Sequence, residues 1–350
     1  MTAPTSQGLR PVSADGLPGG MVALSPRIPI APLSPVGSHP RLARLVEAAR
    51  QRAVEHRPAV GVVHPCDAPA MEAALRVAEA GIAEPVLIGP RAGIEQAAEA
   101  AHVDLAGFRV IESGAPDGRA SAARAVRAVH DGVVGSLMKG SLHTDELMSA
   151  VVQREGGLRG ARRISHVFLF DLPRYPKLLA LADCVVNITP DLKTKRDILA
   201  NALDLLRALG VMRPKVAAVA AIETVNPQIT ATTDAKALVD EAAHGAFGPV
   251  LVEGPFGFDN AISAEAARIK KMDSQVAGDA DLMLMPDLNA GNMLYKSFNY
   301  IGGGDSAGLV LGAQVPIVLT SRADSQAARL ASVALAVLVA PLLRAGDGVH

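Results

Sequence analysis

Beyond residue 40 the chain alternates between two hydrophobic rhythms. "RLARLVEAARQRA", "APAMEAALRVAEAG", "EQAAEAAH" and "SAARAVRAVHDG" place apolar residues three and four apart, the spacing of an amphipathic helix, and Gly81 closes the second of them. Between them run short apolar, partly β-branched segments of strand length, "PAVGVVHP", "EPVLIGP", "FRVIES" and "VVGSLMKG". Further on, "RISHVFLFDLP", "DCVVNITP", "PKVAAVAAIE", "PVLVEGP", "DLMLMPD" and "PIVLTS" carry the strand pattern, and "TKRDILANALDLLRALG" the helical one. Continuous apolar strands separated by crossover helices predict an α/β fold, with largely parallel sheets flanked by helices. Ligands of such sheets bind beyond the carboxyl ends of the strands, so the loops that follow the strands are the places to look for chemistry.

The length of 350 residues suits two domains of ~100–200 residues each. A glycine- and arginine-rich break, "VVQREGGLRGARR" at 151–163, lies between two αβ blocks and is read as a hinge. The first 40 residues hold eight of the 24 prolines and only three charges, Arg10, Asp15 and Arg27. They read as a flexible N-terminal extension rather than a signal peptide, which needs a basic start and an unbroken apolar centre. The apolar run Leu330 to Leu343 is shorter than the ~18–20 residues of a membrane span and is expected to be a buried helix, so no membrane partner is predicted.

Composition narrows the partners. Lys and Arg number 34 against 35 Asp and Glu, so no global field steers the chain to nucleic acid or to an anionic membrane. Trp is absent and aromatics are 3% of the residues, which leaves almost no stacking platform for single strands and predicts aliphatic cores. Cys66 and Cys184 fit no metal spacing; two cysteines in so long a chain indicate a reducing, cytoplasmic setting and small buried side chains. Asp259, Asp279, Asp281 and Asp287 form no defensible ligand set, so no catalytic metal is expected.

Familiar phosphate motifs fail on their wording. "GVVGSLMKG" has Lys139 before Gly140, the reverse of a P-loop, and "GGGDSAG" is not a dinucleotide fingerprint. Neither Gly-x-Ser-x-Gly nor His-Glu-x-x-His occurs. Three strand ends remain. In "VPIVLTSRADS" the strand runs into Thr320-Ser321, with a helix expected from about Ala323. Ser321 is either a plain N-cap with Asp324 three residues on, or part of an anion site with Arg322. In "LMLMPDLNAGNMLYKSFNYI" the turn holds Asn289 and Gly291, Asn292 is the expected cap, and Lys296 lies one turn on; this too is either a capping turn or a ligand site. "SLMKGSLHTDELM" offers Lys139, His143 and Asp145 with Thr144 as the expected cap. Arg162, Arg163, Lys193, Lys195 and Arg196 read as solvated faces.

Taken together, "MKGSLHTDELM", "RRISHVFLFDLPRYPKLLALADCVVNITPDLKTKRDILANA", "EGPFGFDNAIS", "GDADLMLMPDLNAGNMLYKSFNYIGG" and "VPIVLTSRADS" resemble the phosphate acetyltransferase and phosphate butyryltransferase family over roughly residues 45 to 345. The resemblance implies a two-domain fold similar to the isocitrate/isopropylmalate dehydrogenase architecture. After the extension 1–40, one discontinuous domain would take 41–155 plus 310–350 and carry the Ser-Arg motif; 156–309 would form the inserted domain, with the active-site cleft between the two. It also implies a homodimer and direct acyl transfer between coenzyme A and phosphate in a ternary complex. No tightly bound cofactor is implied.

By the matching motifs, Ser321 would stabilise the transition state and Arg322 would hold the acyl phosphate. Thr320, Asn289, Gly291, Asn292, Tyr295, Lys296, Lys139 and Gly140 would contact phosphate or coenzyme A. This chemistry needs aligned donors and cations more than a covalent nucleophile, because an oxyanion develops at the acyl carbon. Acetyl-specific members place an acid, the proposed base for the thiol of coenzyme A, seven residues after the serine, where this chain has Ala328; "TSRADS" resembles the butyryl branch, and Asp324, the nearest acid, is the candidate catalytic base, the alternatives being a base from elsewhere or a thiolate drawn from solution. Two alternatives stand beside this reading: an acyl-CoA sensor of the same family that binds without turnover, and a decarboxylating dehydrogenase of the same fold. The extension 1–40 is a possible contact for an enzyme that makes the acyl-CoA.

Overall fold

Four of the helices that follow strands start on an aspartate. Asp67, Asp117, Asp191 and Asp287 each accept a hydrogen bond from the backbone N–H three residues on, at 2.9, 2.9, 2.8 and 3.0 Å. Each closes one of the free N–H groups of a first turn, a contribution of about 1 kcal/mol, and so marks where strand gives way to helix. The computed structural model of the protein describes residues 39–319 and 324–346, without the side chains of 342–346.

Among the described residues the strands are β1 (Ala59–Val63), β2 (Glu84–Gly89), β3 (Arg109–Glu112), β4 (Ser136–Lys139), β5 (Ser165–Asp171), β6 (Leu179–Ala182), β7 (Lys215–Val219), β8 (Leu251–Phe256), β9 (Leu282–Leu284), β10 (Asp305–Leu311) and β11 (Ile317–Val318). They form one sheet in the order β3-β2-β1-β4-β11-β10-β5-β6-β9-β7-β8. Pairing is parallel except around β5 and β10, where β10 runs antiparallel to both β11 and β5, and β5 antiparallel to β6. The strands between residues 165 and 311 fill one half of this sheet, and the earlier strands with β11 fill the other.

The helices are α1 (Pro40–His56), α2 (Ala68–Glu79), α3 (Arg91–Ala100), α4 (Gly118–His130), α5 (Thr144–Val151), α6 (Leu192–Ala208), α7 (Thr230–Ala243), α8 (Phe258–Ile262), α9 (Ala264–Ile269), α10 (Leu288–Tyr300) and α11 (Gln326–Gly346). The expected α/β architecture, a mostly parallel sheet flanked by helices, is observed. The main core is aliphatic: Leu42 and Leu45 of α1, Leu199 and Leu203 of α6, and Val333 and Val337 of α11 pack with Val167, Leu169 and Leu309 of the central strands. Burying each such side chain contributes roughly 1.5–3 kcal/mol. No helix among the described residues is long and apolar enough to cross a membrane.

Two segments depart from expectation. "DCVVNITP" is not a strand; the strand is the preceding Leu179–Ala182. The cause is Asp183, whose Oδ1 accepts the N–H groups of Val185 and Val186 at 2.8 and 3.0 Å, and whose Oδ2 accepts that of Asn187 at 3.2 Å. A carboxylate that binds the next three donors folds the chain on itself and leaves nothing for a ladder. The second is β10, hidden in "GGGDSAGLVL". Its Gly308 faces β5, where an added Cβ would lie 2.8 Å from His166 Cε1 and 2.9 Å from the Phe168 ring. The glycine that makes the segment look like a loop is there for close approach within the sheet.

The basic residues divide. Arg162, Arg163 and Lys193 are exposed as expected, with Arg162 pairing with Asp204, whereas Lys195 is buried and ion-paired with Asp234 at 2.7 Å, and together with Arg196, which pairs with Glu241, it ties α6 to α7. Asp279 pairs with Lys177 and Lys215 at 2.8 and 2.6 Å.

Candidate active site

The carboxyl end of β4 delivers Lys139, whose ammonium group donates to the carbonyls of Leu142 at 3.1 Å and Gly140 at 3.3 Å. Gly140 is held against the end of β1: its N–H donates to Val63 O at 2.8 Å, and a Cβ there would sit 2.5 Å from that oxygen. The loop can pass so closely only with glycine. It then enters α5, where the Glu146 carboxylate accepts the His143 N–H at 2.8 Å. The cap is therefore His143 rather than Thr144, and Thr144 is free to line the cleft beyond.

Helix α10 starts at Leu288, capped by Asp287, five residues before the start expected at Met293. Asn292 is thus inside the helix, where its amide donates to Cys184 O at 3.1 Å. Gly291 lies over the same backbone, with a prospective Cβ 2.5 Å from Asp183 O and 3.1 Å from Cys184 Cα. The "NAGN" stretch docks the helix on the Asp183 turn. That docking presents Asn292, Tyr295 and Lys296, at i, i+3 and i+4, to one space. Tyr295 stacks on Phe168 of β5 with ring centroids 4.2 Å apart and planes 9° from parallel.

Helix α11, by contrast, starts later than expected, at Gln326, with Ser325 as the residue whose hydroxyl accepts the Ala328 N–H at 2.9 Å. Ala328 is buried in the first turn, so the position of the missing acid is part of the cap and core here. Asp324 stands just before the helix. Thr320, Ser321 and Arg322 lie outside the described residues; Leu319 and Asp324, on either side of that segment, both line the cleft.

The resulting cleft, about 370 Å³, is bounded by Lys139, Thr144, His166, Phe168, Val185, Asn292, Tyr295, Lys296, Leu319 and Asp324. Five sequence-predicted residues meet in it: Lys139, Asn292, Tyr295, Lys296 and Asp324. Gly140, Asn289 and Gly291 do not line it; Gly140 and Gly291 set backbone approaches, and Asn289 is exposed on the first turn of α10. The residues that sequence reasoning passed over are His166, Phe168, Val185 and the organising Asp183. A histidine inside "ISHVFLF", a run that predicts burial on both faces, was the available signal for the first.

Burial is the main electrostatic influence. It pushes the His166 imidazole down to about 4, partly offset by the Asp183 carboxylate, so the ring is neutral at pH 7. Burial also raises the Tyr295 phenol, with the Asp324 carboxylate adding to the effect, so the hydroxyl stays protonated. The Cys184 thiol is pushed well up by burial and then by Asp183, and Cys66 to about 11 by burial and then Asp67. Neither thiol has the depressed pKa of a nucleophile. Among the described residues no group of three or more His, Cys, Asp and Glu has the arrangement of a metal site.

A second hollow of about 430 Å³ opens at the opposite edge of the sheet, where Ala59 and Ser136 begin β1 and β4. Arg52, His56 and Arg57 line it, with Ala340 and Pro341 of α11. The carboxyl-edge cleft is the candidate site because strand ends and helix starts converge there.

Fold and cleft together define an α/β protein with a candidate ligand site beyond the carboxyl ends of β4 and β11, furnished with cations, an amide and a neutral imidazole. Comparison with known proteins makes this specific. The family described as "Phosphate acetyl/butaryl transferase" matches residues 117–337. A phosphate acetyltransferase of Rhizobium meliloti is 48% identical over 305 residues, covering 87% of this chain and 95% of its own. A phosphate butyryltransferase of Clostridium acetobutylicum is 36% identical over 274 residues, covering 78% and 90%. Among solved structures, a branched-chain phosphotransacylase from Enterococcus faecalis superposes with a TM-score of 0.71 at 28% identity, over 81% of this chain and 99% of its own. The chain belongs to the phosphate acetyl/butyryl transferase family.

Proposed function

We propose that the protein is a phosphate acyltransferase that interconverts acyl-CoA and phosphate with acyl phosphate and coenzyme A, by direct transfer in a ternary complex. The observation that carries this reading is the meeting of Lys139, Asn292, Lys296 and Asp324, distant in sequence, in one cleft beyond the carboxyl ends of β4 and β11. Family membership supports it. A phosphate oxygen attacks the thioester carbon, the C–O bond forms as the C–S bond breaks, and coenzyme A leaves as the thiolate.

In this reading Lys139 and Lys296 hold anionic oxygens, Arg322 holds the transferring phosphoryl group and Ser321 donates to the tetrahedral oxygen. Asp324 exchanges the thiol proton. Thr320 and, outside the cleft lining, the exposed Asn289 act in phosphate or coenzyme A binding, while Gly140 and Gly291 serve it by bringing the backbone of the cleft together. The supporting facts are that both residues flanking the Thr320–Arg322 segment line the cleft, and that no described thiol is activated.

The halves of the sheet support a division into a domain of 41–155 plus 310–350 and an inserted domain of 156–309, as in isocitrate/isopropylmalate dehydrogenases, with substrates bound between them. A homodimer without tightly bound cofactor, working in the cytoplasm, completes the proposal. The test is release of free thiol from acetyl-CoA and butyryl-CoA by the purified full-length protein, with and without phosphate. Release that depends on phosphate is the expected result. Tight acyl-CoA binding with no release would establish a sensor instead.

A further inference from the structure

His166 is unexplained by packing or by the roles assigned above. On β5 its side chain shares a face with Phe168 and Phe170, and this face meets α10 in an aromatic row. His166 lies 4.3 Å from Phe168, Phe168 stacks on Tyr295, and Phe170 meets Phe298 edge-on at 5.1 Å. An apolar ring would fill the end of that row equally well. The imidazole is 1% exposed, yet it borders the cleft. Among the described residues its Nδ1 is closed off from solvent without a hydrogen-bond partner, and Nε2, which is not closed off in this way, has none either. A buried polar ring left unbonded is unfavourable, and its retention calls for a partner that arrives from the cleft and meets the ring at Nε2.

The neighbouring charges define what it can do. Asp183 does not orient the ring through a hydrogen bond. Its carboxylate is taken up by three backbone N–H groups and by the Asn187 amide, at 2.6 Å. Lys139 and Lys296 border the same cleft and oppose a second positive charge, while Asp324 and the neutral Tyr295 phenol are the other titratable groups lining it among the described residues. Burial holds the ring in the neutral form, one N–H donor and one acceptor.

We propose that His166 is a further catalytic residue of the acyl transfer: its neutral ring donates one hydrogen bond to the acyl carbonyl oxygen, and that bond strengthens as the oxygen becomes an oxyanion. The proposal rests on the phosphate acyltransferase reading. The ring keeps its proton throughout; the carbon–oxygen bond to phosphate forms, the carbon–sulfur bond breaks, and the electron pair leaves with the thiolate. A neutral donor suits this place because it needs no proton uptake before each turnover.

The experiment compares His166→Gln, whose amide still donates, with His166→Leu, in the full-length protein. His166→Leu is expected to lower kcat/KM about a hundredfold, the scale of one lost oxyanion donor, with KM for phosphate unchanged. His166→Gln is expected to retain activity within about tenfold and to leave the pH profile between about 5.5 and 8 unaltered. Equal loss in both variants, with a titration in the wild type that His166→Gln removes, would show a proton acceptor and overturn the donor role. Wild-type kcat/KM in His166→Leu would also overturn it.

Should His166→Leu fail to fold, infrared spectroscopy of carbonyl-labelled butyryl-CoA bound to the wild type gives an independent reading. A thioester carbonyl band lowered on binding, and less lowered in His166→Gln, supports the hydrogen bond; an unshifted band refutes it. This binding measurement does not depend on turnover, so it separates failure of the His166 role from failure of the acyltransferase reading.

Discussion

The two hollows of the molecule are similar in size, about 370 and 430 Å³, and opposite in construction. At the amino edge of the sheet, helices end. The Arg57 N–H closes α1 by donating to Ala53 O at 3.0 Å, and that of Gly132 follows α4 by donating to Val129 O at 3.0 Å. Free carbonyls give such ends partial negative charge, which Arg52, His56 and Arg57 complement without any ligand. Around the other cleft helices begin: α5, α10 and α11 start after the carboxyl ends of β4, β9 and β11, and the cations there, Lys139 and Lys296, stand near positive helix ends instead of cancelling negative ones. Size alone does not identify a binding site; the direction of the surrounding backbone does.

This contrast can be broken by experiment. The largest effect is expected from Arg322→Ala, which should lower kcat/KM at least about a hundredfold, or roughly 2–3 kcal/mol of transition-state binding, read in the phosphate-dependent thiol-release assay. An unchanged kcat/KM would remove the Ser-Arg motif from the carboxyl-edge site.

A smaller effect should appear in acid stability. In the folded protein the His166 ring takes a proton only near pH 4, whereas in the unfolded chain it does so near the ordinary 6.5. Between these values the unfolded state binds more protons. The stability tied to the neutral ring is therefore fully present above 6.5 and declines as pH falls toward 4, on the order of 1 kcal/mol per pH unit. Denaturant melts of wild type and His166→Gln should converge or cross over that window; parallel curves would show that the ring titrates normally. The smallest effect belongs to the amino edge: Arg57→Ala should leave kcat/KM within about twofold, and a larger drop would mean that this hollow takes part in function.

Much of the fold was legible in the chain because continuous apolar runs and helical spacing report burial, which is a local property. β10 escaped because Gly308 reads as a loop residue, although its reason is the ring of His166 on the next strand. β6 was displaced because the hydrogen bonds of Asp183 overrule the β-branched residues that follow it. The helix starts at Leu288 and Gln326 were misplaced for a related reason, since Asp287 and Ser325 compete as caps with equally suitable neighbours.

For the site, the residue types and the order of the strand ends can be read along the chain: Lys139, the Asn-rich turn with Lys296, and the Ser-Arg motif before Asp324. The folded chain decided which of them meet. Sheet order places β4 beside β11, and the Asp183 turn docks α10 so that Asn292, Tyr295 and Lys296 face the same space. It also decided that His166 is buried at the edge of the cleft without a partner, because solvation and hydrogen bonding depend on what surrounds a residue in three dimensions and leave no periodic trace along the chain.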